Sequence, residues 1–139
     1  MKRFLTLTTM LLLFVAATFT SCSTEKSVAS AFTSEGYQMV TMTPRQQLEL
    51  APLLRAFPTF NCTALGYMAL GNSVTFIYAA DEAAWNAYGA ILEKYGFSNL
   101  EIGYARADRN YNVTYNVSCS TTNVYGQQFL LVTYLSATF

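Results

Sequence analysis

The chain has 139 residues, of which 53% are hydrophobic, 15% aromatic and only 12% charged, with no histidine. Eight Lys and Arg balance eight Asp and Glu, and the basic residues are not clustered as binding to phosphate backbones requires, which excludes nucleic acid as a partner. The missing imidazole removes Ser-His and Cys-His nucleophiles and every histidine-ligated metal site, and the sequence implies no cofactor and no metal.

The chain begins Met1-Lys2-Arg3 and continues through the uncharged, apolar stretch from Met10 to Ala17. A short basic segment ahead of an apolar one is the layout of a secretory signal, and this one is too short for a membrane span, which needs roughly 20 apolar residues. Cleavage is expected at Phe19-Thr20-Ser21-Cys22. These four residues resemble the lipobox of bacterial lipoproteins, in which a large apolar residue and two small ones precede the modified cysteine; Phe19 stands where that family most often has leucine. The resemblance implies that the thiol of Cys22 is diacylated and that Cys22 becomes the first residue of the mature protein. Two or more acyl chains, at about 0.8 kcal/mol per buried methylene, give a stable membrane anchor. Ser23, next to the cysteine, is similar to the residues associated with sorting to the outer membrane. The expected organisation is a signal peptide at 1–21, a lipidated tether at 22–36 and one domain at 37–139. Removal of Lys2 and Arg3 leaves six basic against eight acidic residues, a net charge of −2.

Residues 37–42 (YQMVTM) read as a short strand. Thr43, Pro44 and Gln46 then form a capping box with proline at the first helical position. Leu50, Leu53, Leu54 and Phe57 give the helix an apolar stripe, and Pro52 is expected to kink it or divide it at Ala51. Residues 63–70, the Gly71-Asn72 turn and residues 73–80 read as a hairpin. A second helix starts at the Asp81 cap with Glu82 behind it. It carries Ala84, Trp85, Tyr88, Ile91, Leu92 and Tyr95 on one face and stops at Gly96. Strands follow at 100–107, 111–119 and 128–136, with a turn at 108–110 and a loop at 120–126.

The fold class is therefore α+β, an antiparallel sheet of five to six strands with two helices on one face. Its first six elements follow the split βαβ, or ferredoxin-like, order, with further C-terminal strands. If residues 37–42 are loop, the order becomes α-β-β-α-β-β-β, a meander cradling one helix. That order, with its Tyr88, Tyr95, Gly96 and Phe97 helix end, is similar to small uncharacterised bacterial lipoproteins, a likeness that implies no catalytic residue.

Cys62 and Cys119 form an even pair in an exported chain, which reads either as a disulfide or as two buried thiols. Carboxylates offer the remaining route to catalysis, but Asp81, Glu82, Glu93, Glu101 and Asp108 fall at a cap, on helix surfaces, in a strand and in a turn, without the facing pair a hydrolase requires. The segment RNYNVTYNVSCSTTNVYG (109–126) is distinctive. Asn112, Thr114, Asn116 and Ser118 alternate with Tyr111 and Tyr115, a composition suited to sugars or to a half-exposed strand with its rings inward. The expectation is a non-catalytic envelope lipoprotein that binds another protein through a sheet face or through Tyr125 and its loop. The alternatives are a glycan-binding lipoprotein, using Tyr111, Asn112, Tyr115 and Asn116 on a polysaccharide, and a carboxylate-dependent hydrolase.

Overall fold

The computed structural model describes residues 22–108 and 112–138, with side chains from residue 28 onward. The leader, the side chain of Cys22, the turn at 109–110 and Tyr111 lie outside the described residues. The chain divides into two units, 1–36 and 37–139. In the first, the segment read as a tether forms helix α1, Cys22–Thr33, a stretch that neither proline nor glycine interrupts.

In the second unit, the capping box forms in both directions. The Gln46 N–H donates to Thr43 Oγ1 (3.2 Å), and the Thr43 N–H donates to Gln46 Oε1 (2.8 Å). Helix α2, Pro44–Leu50, ends before Pro52, and a 3-10 helix, Pro52–Ala56, follows. The break resets the helical phase. Gln47 and Ala51, one turn apart, are buried, whereas Leu50, expected in the apolar stripe, is exposed.

Residues 37–42 do not form the expected strand. They make two isolated bridges, Gln38 to Tyr67 and Met42 to Ala64, before the chain turns into the Thr43 cap. The ferredoxin-like order is thereby replaced by the α-β-β-α arrangement, followed by four strands.

Among the described residues, six strands form one antiparallel sheet: β1 Gly66–Leu70, β2 Ser73–Tyr78, β3 Ser98–Leu100, β4 Gly103–Ala107, β5 Val113–Val124 and β6 Gln127–Thr138, in the order β1-β2-β6-β5-β4-β3. The strand expected at 100–107 is divided by a turn at Glu101 and Ile102. The loop expected at 120–126 is mostly strand, because β5 pairs with β6 without a break from Val113↔Thr138 to Val124↔Gln127. Backbone pairing along the whole of β6 outweighs the polar composition of Ser120 to Asn123, and only Tyr125 and Gly126 turn.

Alternation puts Val74, Phe76 and Tyr78 of β2, Leu130, Val132 and Tyr134 of β6, and Val117 of β5 on one face. Helix α3, Glu82–Lys94, packs Tyr88 and Leu92 into the same core, joined by Phe57 and Phe60 from the segment after the 3-10 helix. The sheet therefore carries α2, the 3-10 helix and α3 on one face. The buried stripe of α3 is narrower than expected: Ile91 and Tyr95 are exposed, and Trp85 packs at the edge against Tyr88 and Tyr104.

The core absorbs most of the tyrosine excess. Tyr78, Tyr88 and Tyr134 are buried with their hydroxyls partnered: Tyr78 donates to Gln47 Oε1 (2.6 Å), Tyr88 to the Pro58 carbonyl (2.6 Å) and Tyr134 to the Tyr88 hydroxyl (3.4 Å). Phe57 ties the cluster together, stacked on Phe97 at 5.3 Å and edge-on to Tyr134 at 4.9 Å. Such ring pairs contribute about 1 kcal/mol each beyond their buried area.

Candidate functional site

The long hairpin β5–β6 ends in a two-residue turn, Tyr125-Gly126, with φ values of +51° and +84°. A two-residue hairpin turn with both central residues in the left-handed region requires what Asn-Gly provides best, since a bulky side chain at such a φ costs about 1 kcal/mol or more. Tyrosine stands there instead, with its residue 70% exposed, so the ring's burial does not offset the cost. Leu70 and Ile102 are also highly exposed at other turns, but they sit singly on backbones that do not penalise them.

The surroundings of Tyr125 are polar. Asn123 pairs across the hairpin with Gln128, and Val124 with Gln127. Gln127 and Gln128 also line a shallow hollow of about 370 Å³ together with Ala79, Ala80 and Asp81. Asp81 caps α3, accepting from the Ala84 N–H (3.2 Å). One exposed ring and three amides at the end of a rigid ribbon combine a large contact area of low rotamer entropy with adaptable hydrogen bonding, the mixture found in protein-binding loops.

The residues singled out in the sequence do not form one site. β5 is twelve residues long, so its ends lie roughly 40 Å apart along the strand at about 3.3 Å per residue. Asn112 is exposed at its start, where the backbone N–H donates to Asp108 Oδ1 (2.8 Å). Tyr115 turns onto the helix-bearing face, edge-on to Phe57 at 6.0 Å. Asn116 lies on the opposite face, between Leu135 of β6 and Ala105 of β4. Tyr125 is at the far end and has Asn123, Gln127 and Gln128 as neighbours in place of the Asn112–Asn116 pair. Those three amides escaped the sequence reading because a turn confined to Tyr125 and Gly126 follows only from the full-length pairing of β5 with β6.

The cysteines are not bridged; Cys62 and Cys119 are free thiols packed at the edge of the core. Burial pushes both thiols up, that of Cys119 to about 11, with the Glu82 carboxylate at the start of α3 adding to the shift. Burial likewise raises Tyr88 to about 12. Because these folded-state values lie above the ordinary 9.0 and 10.0, the stability they contribute is complete below pH 9 and is lost as pH rises through 11 and 12. The denaturant midpoint is expected to fall between pH 8 and pH 11, and to fall less for Cys119→Ala; a flat profile would contradict this account.

The carboxylates are dispersed. Asp81 lines the hollow at the hairpin tip and Asp108 another beside β4, and Glu49 pairs with Arg45 on α2 at 3.6 Å. Among the described residues, no three His, Cys, Asp or Glu side chains come together as a metal site would require. Comparison of the chain with protein-family models, with curated proteins and with solved structures finds no match.

Proposed function

We propose that this chain is a non-catalytic protein, lipid-anchored at the cell envelope through Cys22, that holds a partner protein by the tip of the β5–β6 hairpin. The observation that carries the reading is Tyr125: a large ring displayed to solvent from a left-handed backbone position that asparagine would fill at lower cost. Residues kept where the fold disfavours them mark function. The leader residues supply the anchor, and Ser23 the outer-membrane address. Tethering restricts the partner to molecules at the same surface, so modest contacts at the tip suffice through raised effective concentration.

Tyr125→Asn separates folding from binding. The variant is expected to be more stable by about 1 kcal/mol, with the denaturation midpoint raised by several degrees, and to lose the partner recovered by crosslinking from residue 127 in intact cells. A variant that gains stability and still captures the same partner in the same yield would refute the tip as the binding surface. A second reading rests on the amides of Asn123, Gln127 and Gln128 beside the same ring, an arrangement that also suits a polysaccharide. Recovery of sugar with no protein at stoichiometric yield would select it.

A further inference from the structure

At the other end of β5, a hollow of about 560 Å³ is lined by Arg55, Ala56, Arg106, Ala107, Asp108 and Tyr115. Arg106 projects from β4 toward the 3-10 helix. Its guanidinium donates to the carbonyls of Ala56 (3.1 Å) and Tyr95 (3.1 Å) and lies 4.8 Å from the centre of the Phe97 ring. These partners are all neutral, although the residue is half-buried. Arg55 precedes Ala56 in the chain, so a second guanidinium belongs to the rim that Arg106 clamps. Among the described residues the ion pair is Arg45 with Glu49, and neither arginine of the hollow takes part in one. Asp108 brings the hollow's carboxylate, and its Oδ1 accepts from the N–H groups of Asn112 (2.8 Å) and Val113 (3.4 Å), which fixes it to the start of β5.

Half-buried charges are ordinarily paired, because a guanidinium removed from water loses hydration that carbonyls and a ring face restore in part. Two arginines against one engaged carboxylate leave the hollow with an excess positive charge, and the planar fork of arginine matches a carboxylate in particular. Tyr115 adds a half-buried aromatic wall. We infer that this hollow binds a carboxylate-bearing ligand, with Arg55 as the mobile ligand-contacting cation and Arg106 as the fixed one. The site is separate from the hairpin tip and independent of the function proposed for it.

Titration of the isotopically labelled mature protein with acetate, glucuronate and glucose, followed by backbone amide shifts, tests the assignment. Both carboxylates are expected to shift Ala56, Ala107 and Tyr115, with affinity falling as ionic strength rises, while glucose leaves them in place. Arg55→Ala should weaken binding about tenfold or more, the loss of one charge-assisted contact, without changing the denaturation midpoint, since its side chain is exposed and supports nothing in the core. Arg106→Lys, which retains charge but loses the fork, should weaken binding if it folds; Arg55→Ala decides the matter if it does not. Absence of shifts with both carboxylates, equal shifts with glucose, or unchanged affinity in Arg55→Ala would overturn the proposal.

Discussion

Gln47→Leu is expected to lower the stability of the 37–139 unit by about 2 to 3 kcal/mol, a large share of the 5 to 15 kcal/mol typical of a domain. Among the described residues, Gln47 is the buried polar residue of the core, 3% exposed. Its Nε2 donates to the carbonyls of Met42 (3.0 Å) and Cys62 (2.9 Å), and its Oε1 accepts from the Tyr78 hydroxyl. One side chain thus joins α2 to the segment before it, to the segment before β1 and to the end of β2. Leucine fills similar space but leaves the Cys62 carbonyl and the Tyr78 hydroxyl unpaired, each costing about 1 to 3 kcal/mol where water cannot reach it, while the Met42 carbonyl keeps the Ala64 N–H (2.8 Å). The cleft of about 300 Å³ that Gln47 lines beside Arg55 and Phe60 admits water on one side, which places the total toward the lower end of that range. Denaturant unfolding of Gln47→Leu, Tyr78→Phe and the double variant measures the network. Tyr78→Phe alone should cost about 1 kcal/mol, and the double variant should cost less than the sum, since removing both partners leaves fewer orphaned groups. A Gln47→Leu loss below 1 kcal/mol would show that the three bonds do not hold these segments together.

Helices α2 and α3 were legible because their ends are written in local chemistry, whereas α1 lies in the segment read as a tether. Thr43, Pro44 and Gln46 specify the start of α2, Pro52 its break, and Asp81 and Glu82 the start of α3, each acting within one turn. The sheet was legible as an antiparallel α+β arrangement, but its boundaries were not. Residues 37–42 have strand composition yet meet β1 at only two bridges, and Ser120 to Asn123 have loop composition yet pair with β6 at every position. Pairing partners decide both cases, and a single strand's sequence does not contain its partner. Burial departs from the expected stripe at Ile91 and Tyr95 for the same reason: helical phase ranks them inward, whereas the narrow seat of α3 on the sheet is a tertiary fact, as is the three-way hydrogen bonding that buries Gln47. Of the candidate surface, Tyr125 could be named in advance as a loop aromatic. Its left-handed backbone, the amides around it and the hollow that Arg55 and Arg106 share required the fold.

The second large effect is expected at Gly103, the first residue of β4. Its φ of +148° lies where side-chain-bearing residues are rare, and a Cβ built there would stand 2.4 Å from the carbonyl oxygen of Val117 and 3.0 Å from the Cα of Ser118. Both obstacles are backbone atoms of β5, held in turn by β6, so they cannot rotate aside as a side chain would. Gly103→Ala must therefore push β4 away from β5 or twist the turn at Glu101 and Ile102, and should cost about 3 kcal/mol, lowering the denaturation midpoint by roughly 15 °C. Gly126→Ala provides the internal comparison. Its φ is +84° but nothing lies within 4 Å of the added carbon, so backbone strain alone applies and about 1 kcal/mol is expected. Equal losses at the two positions would mean that strain, not overlap with β5, sets the cost at Gly103. A larger loss at Gly103 carries a functional consequence, because β4 also holds Arg106 against the carbonyls of Ala56 and Tyr95. Displacing the strand loosens that clamp, and carboxylate affinity at the hollow should fall in Gly103→Ala at temperatures where the variant remains folded, while Gly126→Ala leaves it intact.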